Sequence, residues 1–325
     1  MSKNVHASLS RRGALALGGS LAGGLIAASS PLLASPLGAS AASDDGRLPR
    51  STGALPVKQI EGIMRTTGMV MNDVLTIELD RDDLHVTGPG GIPFKPSFEE
   101  NHTFSFQPLS NGQAILNAEM ALLPSETNPV MDRIFAGGLV LMGFHQHFFN
   151  EIPQTFHIHY RGIGDPLRIA RAAIAVVRAT GTPLPQTQPS NPTTPLPKDE
   201  LARILGGTAQ VGSAGVVTVS IPRAETIVLG GVAVKPEMGV SVTVAFEPLG
   251  NGRTACAPDY ALIASEINPA LEVSRDEGFV VHCLYNQETD ERPQLYFSHN
   301  LATGNAVTLA HKVAKVLDKM NVKRS

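Results

Sequence analysis

The chain lacks Trp entirely and has four Tyr and two Cys in 325 residues. Neither Cys256 nor Cys283 stands at a metal-ligand spacing. Both fall in strand-like stretches, where they either face each other as one disulfide or stay as two buried thiols. Basic charge is also scarce. Lys and Arg number 26 against 29 acids, for a net charge of −3. Residues 1–41 hold Lys3, Arg11 and Arg12 and no acid, so the rest carries 23 basic against 29 acidic residues, a net of −6. With no basic run and no aromatic-basic interleaving, nucleic acid is excluded as a general partner. No Gly-x-Ser-x-Gly or Cys/His pairing signals a nucleophile. Gly88-Pro89-Gly90-Gly91 follows no clear nucleotide-binding βα pattern, which gives phosphate binding little weight.

A long unbroken apolar run is missing too. Gly13–Ala34 is apolar but interrupted by glycines, serines and Pro31. Arg11-Arg12 precedes it, and Ala39-Ser40-Ala41 follows. A twin arginine, a weakly hydrophobic Gly/Ala-rich stretch and an Ala-x-Ala site read as a twin-arginine export signal over residues 1–41, rather than a membrane anchor. The expected location is periplasmic or extracellular, with no stable membrane span after signal removal. No Cys lies near the cleavage site, which excludes a lipobox anchor.

What is present is a globular composition, 42% hydrophobic and 17% charged, long enough for two domains. Residues 42–54 read as a flexible leader. Residues 55–181 form a first copy of a domain, 182–197 a Pro-rich extended linker, and 198–325 a second copy. Phe106-Gln-Pro-Leu-Ser-Asn-Gly112 matches Phe246-Glu-Pro-Leu-Gly-Asn-Gly252, and Ser125-Glu-Thr-Asn-Pro129 matches Ser265-Glu-Ile-Asn-Pro269. Glu151, Pro153, Gln154 and His159 match Glu291, Pro293, Gln294 and His299. The offset is 140 throughout, without a gap from Gly91 to the last helix.

Within each copy the pattern predicts strands followed by a helix. A helix is expected over 57–67, closed by Gly68. Strands are expected around Val70–Leu79, Leu84–Val86, Thr103–Gln107 and Ala114–Leu123. Asn128-Pro129 opens a short helix to about Phe135. Asp165-Pro166 opens another, with Leu167, Ala170, Ile174 and Val177 as its apolar stripe and Gly181 as its end. The fold class is therefore α+β, two tandem copies of an antiparallel-sheet-plus-helices domain.

The stretch His145–His159 is where chemistry concentrates. His145, His147, His157 and His159 hold odd positions, and Phe144, Phe148, Phe156, Ile158 and Tyr160 hold even ones. Asn150 and Pro153 break the alternation, so the stretch predicts a hairpin pairing 145 with 159 and 147 with 157. All four imidazoles then share one face, close enough to hold one divalent metal. Glu151 sits in the turn as the acid/base candidate. The alternative is a plain wet strand face. At offset 140, Tyr285, Gln287 and Phe297 replace His145, His147 and His157, so the second copy reads as degenerate. Glu119 and Asp259 correspond in strands and could face the histidines. Glu126 and Glu266 read as helix-start acids. His102 reads as structural, and His85, His282 and His311 as residues without partners.

His-x-His-x3-Glu preceded by Gly138 and Gly143 resembles the first metal motif of cupins, though no second motif follows. His-x-His with a later histidine also resembles the zinc hairpin of acetolactate decarboxylase. The two copies, the Glu-x-Asn-Pro motif and the Pro-x5-His ending resemble the LppY/LpqO family of exported bacterial proteins, whose function is unassigned. The resemblance implies architecture and location more than activity. The site residues themselves imply a metal-dependent enzyme, a hydrolase or lyase with zinc as the expected ion, acting on a small periplasmic or cell-envelope substrate. The alternative is a non-catalytic exported protein that binds a metal or a small ligand.

Overall fold

The structure, a computed structural model, describes residues 53–189 and 191–325. The twin-arginine segment and its cleavage site lie outside those residues.

The first copy runs α1 (Val57–Met64), β1 (Met69–Met71), β2 (Val74–Asp80), β3 (Thr87–Gly88), β4 (Ile92–Pro93), α2 (Pro96–Glu99), β5 (Asn101–Pro108), β6 (Ala114–Leu122), α3 (Thr127–Ala136), β7 (Val140–His145), β8 (Phe156–Gly164) and α4 (Pro166–Val177). The second runs α5 (Lys198–Leu205), β9 (Thr208–Val211), β10 (Val217–Ile221), β11 (Ile227–Leu229), β12 (Val232–Val234), β13 (Val242–Gly250), β14 (Arg253–Leu262), α6 (Ile267–Asp276), β15 (Val280–Val281), β16 (Tyr296–Gly304) and α7 (Ala306–Leu317). Each copy builds a six-stranded antiparallel sheet, in the order β1-β2-β5-β6-β8-β7 and, equivalently, β9-β10-β13-β14-β16-β15. The duplicated sequence thus yields one α+β fold twice.

Strand alternation sorts the two faces of each sheet. On β6, Leu116, Ala118, Met120 and Leu122 join Phe104, Phe106, Ile158 and Tyr160 in a core closed by Ile60 and Met64 of α1, Ile134 of α3 and Ala173 of α4. The odd residues of the same strands point the other way, toward the second copy. Gln107 donates to the Ala233 carbonyl at 3.0 Å, and Asn117 to that of Met238 at 2.9 Å. Arg161 pairs both its terminal nitrogens with Asp290 at 2.7 and 2.9 Å. Phe94, Phe98 and Phe148 of the first copy pack with Ala245, Ala257 and Leu301 of the second. The layers are therefore helices, sheet, sheet, helices, and the inner sheet faces oppose each other.

Several expected elements shift. The run Val70–Leu79 is a hairpin rather than one strand, because Asn72 and Asp73 take left-handed conformations at φ 48° and 61° and turn the chain. Leu84–Val86 forms no strand. That loop is tied by the buried guanidinium of Arg81, which donates to Glu126 at 2.9 and 3.0 Å, to Asp83 and to the Ala121 carbonyl. Glu126 is consequently not a capping acid. Its carboxylate accepts the Leu123 and Gly181 amides, both at 2.8 Å, and closes the copy on itself. Arg223 and Glu266 repeat the clamp in the second copy at 2.7 and 3.0 Å. The Asp165 cap is as expected, its side chain accepting the Arg168 amide at 2.7 Å. The Pro-rich segment is extended but pinned: Gln186 exchanges two hydrogen bonds with the Asp80 backbone, at 2.8 and 2.7 Å. Cys256 and Cys283 are both free thiols, with Cys256 in the core.

Candidate metal centre

The site begins with one cross-strand pair used twice. Glu119 on β6 lies opposite His159 on β8, and Asp259 on β14 lies opposite His299 on β16. All four point to the inner faces, so the duplication brings two acid–histidine pairs into the space between the sheets.

The hairpin completes the first pair. Its register differs from the expected one. His145 pairs with His157, and Gly143 with His159, across a bulge between Leu141 and Gly143. The slip is two residues, an even number, so the odd positions keep their face. His147 lies beyond the end of β7 and reaches the cluster from the loop. The even positions divide. Ile158 and Tyr160 enter the helix-side core, Phe148 packs against the second copy, and Phe144 is exposed and stacks on Phe156 at 5.2 Å.

The polar atoms converge on two carboxylates. Glu119 Oε1 lies 3.1 Å from His147 Nε2, 3.2 Å from His157 Nδ1 and 3.9 Å from His159 Nε2. Glu99, the last residue of α2, places Oε2 at 3.1 Å from His147 Nδ1 and 4.0 Å from His299 Nε2. His299 Nε2 is 3.9 Å from Asp259 Oδ2, and its Nδ1 is 3.3 Å from Cys283 Sγ. The His147 ring stacks on those of His157 and His299 at 3.3 and 3.6 Å between centroids. His145 stands at 5.0 Å from both His147 and His159 and lies flat against Tyr285 at 3.5 Å. It joins the cluster but neither of its two tight ligand groups, Glu119–His147–His157 and Glu99–His147–His299.

Glu151 also stands outside both groups. Its Oε2 accepts the Thr155 amide at 3.2 Å, the Thr155 hydroxyl at 2.8 Å and Gln154 Nε2 at 2.7 Å, bracing the loop that carries His147. Glu291 braces the equivalent loop through Leu295 and Gln294 at 2.8 and 3.2 Å. This explains why acid and Gln survive in both copies. His102 points to the helix side and bonds Thr182 Oγ1 at 2.7 Å. His282 does find a partner, accepting the Phe149 amide on Nδ1 at 3.2 Å.

Burial sets the charge states. Burial, with neighbouring imidazoles adding to it, lowers His145 and His299 well below the ordinary histidine value. Burial and then His157 lower His147 to about 3, and burial lowers His159 to about 4 against the pull of Glu119. These rings are neutral near pH 7, with lone pairs free to coordinate. Burial, then Asp259 and Glu119, raises Glu99 well above the usual carboxylate range, and burial then Glu119 does the same to Asp259. Burial also acts upward on Glu119, but His159, His147 and His157 hold it well below that range.

Two features fit a cation. His145 Nδ1 and Nε2, His157 Nε2, His159 Nε2 and Asp259 Oδ1 are buried without a hydrogen-bond partner, and His147 Nε2 meets Glu119 without hydrogen-bonding geometry. Glu119 and Asp259 nonetheless border open space, with 34% and 20% of their side-chain surface free of protein. No Lys or Arg ion-pairs with Glu99, Glu119 or Asp259 among the described residues. The open depressions beside α6, lined by Leu271 and Arg275, and beside α1, lined by Lys58 and Arg65, do not touch the cluster.

No curated protein matches the chain. Among solved structures, a trimeric bacterial microcompartment shell protein, PduB, aligns at 12% identity over 86% of this chain and 98% of its own, with a TM-score of 0.21. That score is too low to bear on fold or function. No helix of the described residues is long and apolar enough to cross a membrane. A family described as Domain of Unknown Function (DUF1259) matches residues 58–179 and again 199–319, the two copies that build the two sheets. The chain belongs to that family, as a tandem pair of its domain.

Proposed function

We propose that the cluster between the sheets is a divalent-metal centre and that the protein is a metal-dependent enzyme, a hydrolase or lyase acting on a small substrate. One observation carries this reading: the buried His147, His157, His159 and His299 and the half-buried His145 converge with Glu99, Glu119 and Asp259, several of their ring nitrogens lack a hydrogen-bond partner, and no Lys or Arg among the described residues ion-pairs with the three acids. Buried polar groups of this kind are hydrogen-bonded, paired or metal ligands. Glu119, His147, His157 and His159 are the first ligands to name. His145 sits close enough to serve as a further ligand or as the neutral base. Tyr285, whose hydroxyl is pushed up by burial, keeps its proton and can donate it. Glu151 acts by holding the His147 loop. A bound ion would polarise a carbonyl or activate a water. Zinc is the first candidate because it takes imidazole well; iron and manganese also suit a mixed imidazole and carboxylate shell.

Depth favours one second reading, a non-catalytic exported protein that binds a metal or a small ligand, since His147, His157, His159 and His299 are all nearly inaccessible. Cobalt-loaded protein separates the two. An enzyme centre keeps an exchangeable position, so azide should shift its visible spectrum; a closed centre should not respond. Export through the twin-arginine route and the finer LppY/LpqO assignment belong to the same proposal. Replacing Arg11 and Arg12 by Lys should leave the precursor in the cytoplasm, and unchanged export would end the twin-arginine reading.

A further inference from the structure

We infer that the centre takes two divalent cations bridged by His147, with the second copy supplying His299 and Asp259 to the second position. This deepens the metal-centre reading and rests on it. The first position lies among Glu119 Oε1, His147 Nε2 and His157 Nδ1, with contacts of 3.1 and 3.2 Å to the carboxylate and His159 Nε2 at 3.9 Å. The second lies among Glu99 Oε2, His147 Nδ1 and His299 Nε2, with Glu99 at 3.1 and 4.0 Å from the two rings and Asp259 Oδ2 at 3.9 Å from His299. His147 offers a different nitrogen to each.

The duplication supports this arrangement. Glu119 with His159 and Asp259 with His299 are equivalent cross-strand pairs, so each copy presents one acid and one imidazole to the space between the sheets. A site with one ion would use the first pair and leave the second as an unexplained buried acid and histidine. Asp259 Oδ1 has no hydrogen-bond partner. Charge points the same way. Three carboxylates converge, and no Lys or Arg among the described residues ion-pairs with them. One dication leaves a buried negative charge, whereas two dications balance the three ionised carboxylates and the imidazolate that a bridging His147 becomes. Bridging removes the remaining N–H proton of His147, which passes to solvent as the ions bind.

The competing arrangement is a single ion at the first position, with Glu99 accepting the His147 Nδ1–H as an orienting carboxylate. Metal stoichiometry separates them. The purified protein is loaded with Mn(II), dialysed, and analysed for metal per chain and by frozen-solution EPR. Two ions per chain with an exchange-coupled signal are expected. His299→Gln and Asp259→Asn should each leave one ion and an isolated Mn(II) spectrum, His157→Gln should also leave one, and His147→Ala should leave none. Circular dichroism and thermal melting confirm folding, and Asp259→Asn serves if His299→Gln unfolds. One ion in the wild type, retained in His299→Gln and Asp259→Asn, overturns the two-cation proposal and keeps the metal centre. One ion lost in all these variants overturns it as well, since a single ion would span both copies. Absence of metal from the wild type ends both readings.

Discussion

Glu119 ranks first among the proposed ligands, because three imidazoles converge on one of its oxygens. Glu119→Gln keeps the shape and removes the charge, so metal affinity should fall by at least about 100-fold, read by competition with a chromophoric chelator. His145→Ala should cost far less, since His145 lies outside both tight groups. Equal losses in the two variants would contradict this ranking. Buried acids elsewhere make a pH prediction. Burial raises Glu247 to about 7, despite the Lys95 amide donating to it at 3.2 Å. Between the ordinary carboxyl value and about 7 the folded state holds the extra proton, so its contribution is present at low pH and lost as pH rises through that window. Glu247→Gln should therefore remove about 2 kcal/mol of the stability loss between pH 5 and pH 8, measured by urea unfolding at both pH values. At this scale the sequence was legible where chemistry repeats. Four odd-position histidines and the Glu119/Asp259 correspondence pointed to one face. Glu99 was not legible, because a single acid ending a four-residue helix belongs to no pattern, and Gly239 stands at its place in the second copy.

The hairpin shows what alternation can and cannot fix. Period two determines the face of each side chain, and a slip of two residues leaves that face intact. The longer connection that pairs His145 with His157, and the bulge between Leu141 and Gly143, do not show in the alternation. The Arg81 clamp was hidden for a related reason. Arg81 and Arg223 are equivalent at an offset of 142, outside the gapless stretch that begins at Gly91. The clamp is buried, and losing Glu126 or Glu266 leaves the guanidinium with Asp83 or Glu225 alone and two backbone amides without their acceptor. Glu126→Ala should destabilise the protein by about 2–3 kcal/mol, and Glu266→Ala by a similar amount. Chemical denaturation checks both, and a loss under about 1 kcal/mol would reduce the clamp to a surface-like pair.

The whole molecule explains why the second copy is not simply a degenerate one. It lacks His145, His147 and His157 equivalents, yet it contributes His299, Asp259 and Tyr285 to the same space. That role was out of reach of the sequence, which reveals a repeat but not which faces of the two copies meet. Close approach depends on Gly143, where a Cβ would stand 3.2 Å from both Cα and O of Gln287. Gly143→Val should push β7 from the second copy, costing about 1–3 kcal/mol and lowering metal retention together. Unchanged melting and metal content would mean the contact is slack.

Every role proposed for the site requires a metal held between the two copies. Anomalous scattering from crystals of the protein grown with zinc, recorded at the zinc edge, tests it most directly. A peak within coordination distance of Glu119, His147 and His157, between the two sheets, is the predicted result. A map with no peak in that space, or with zinc only on surface histidines, would contradict it.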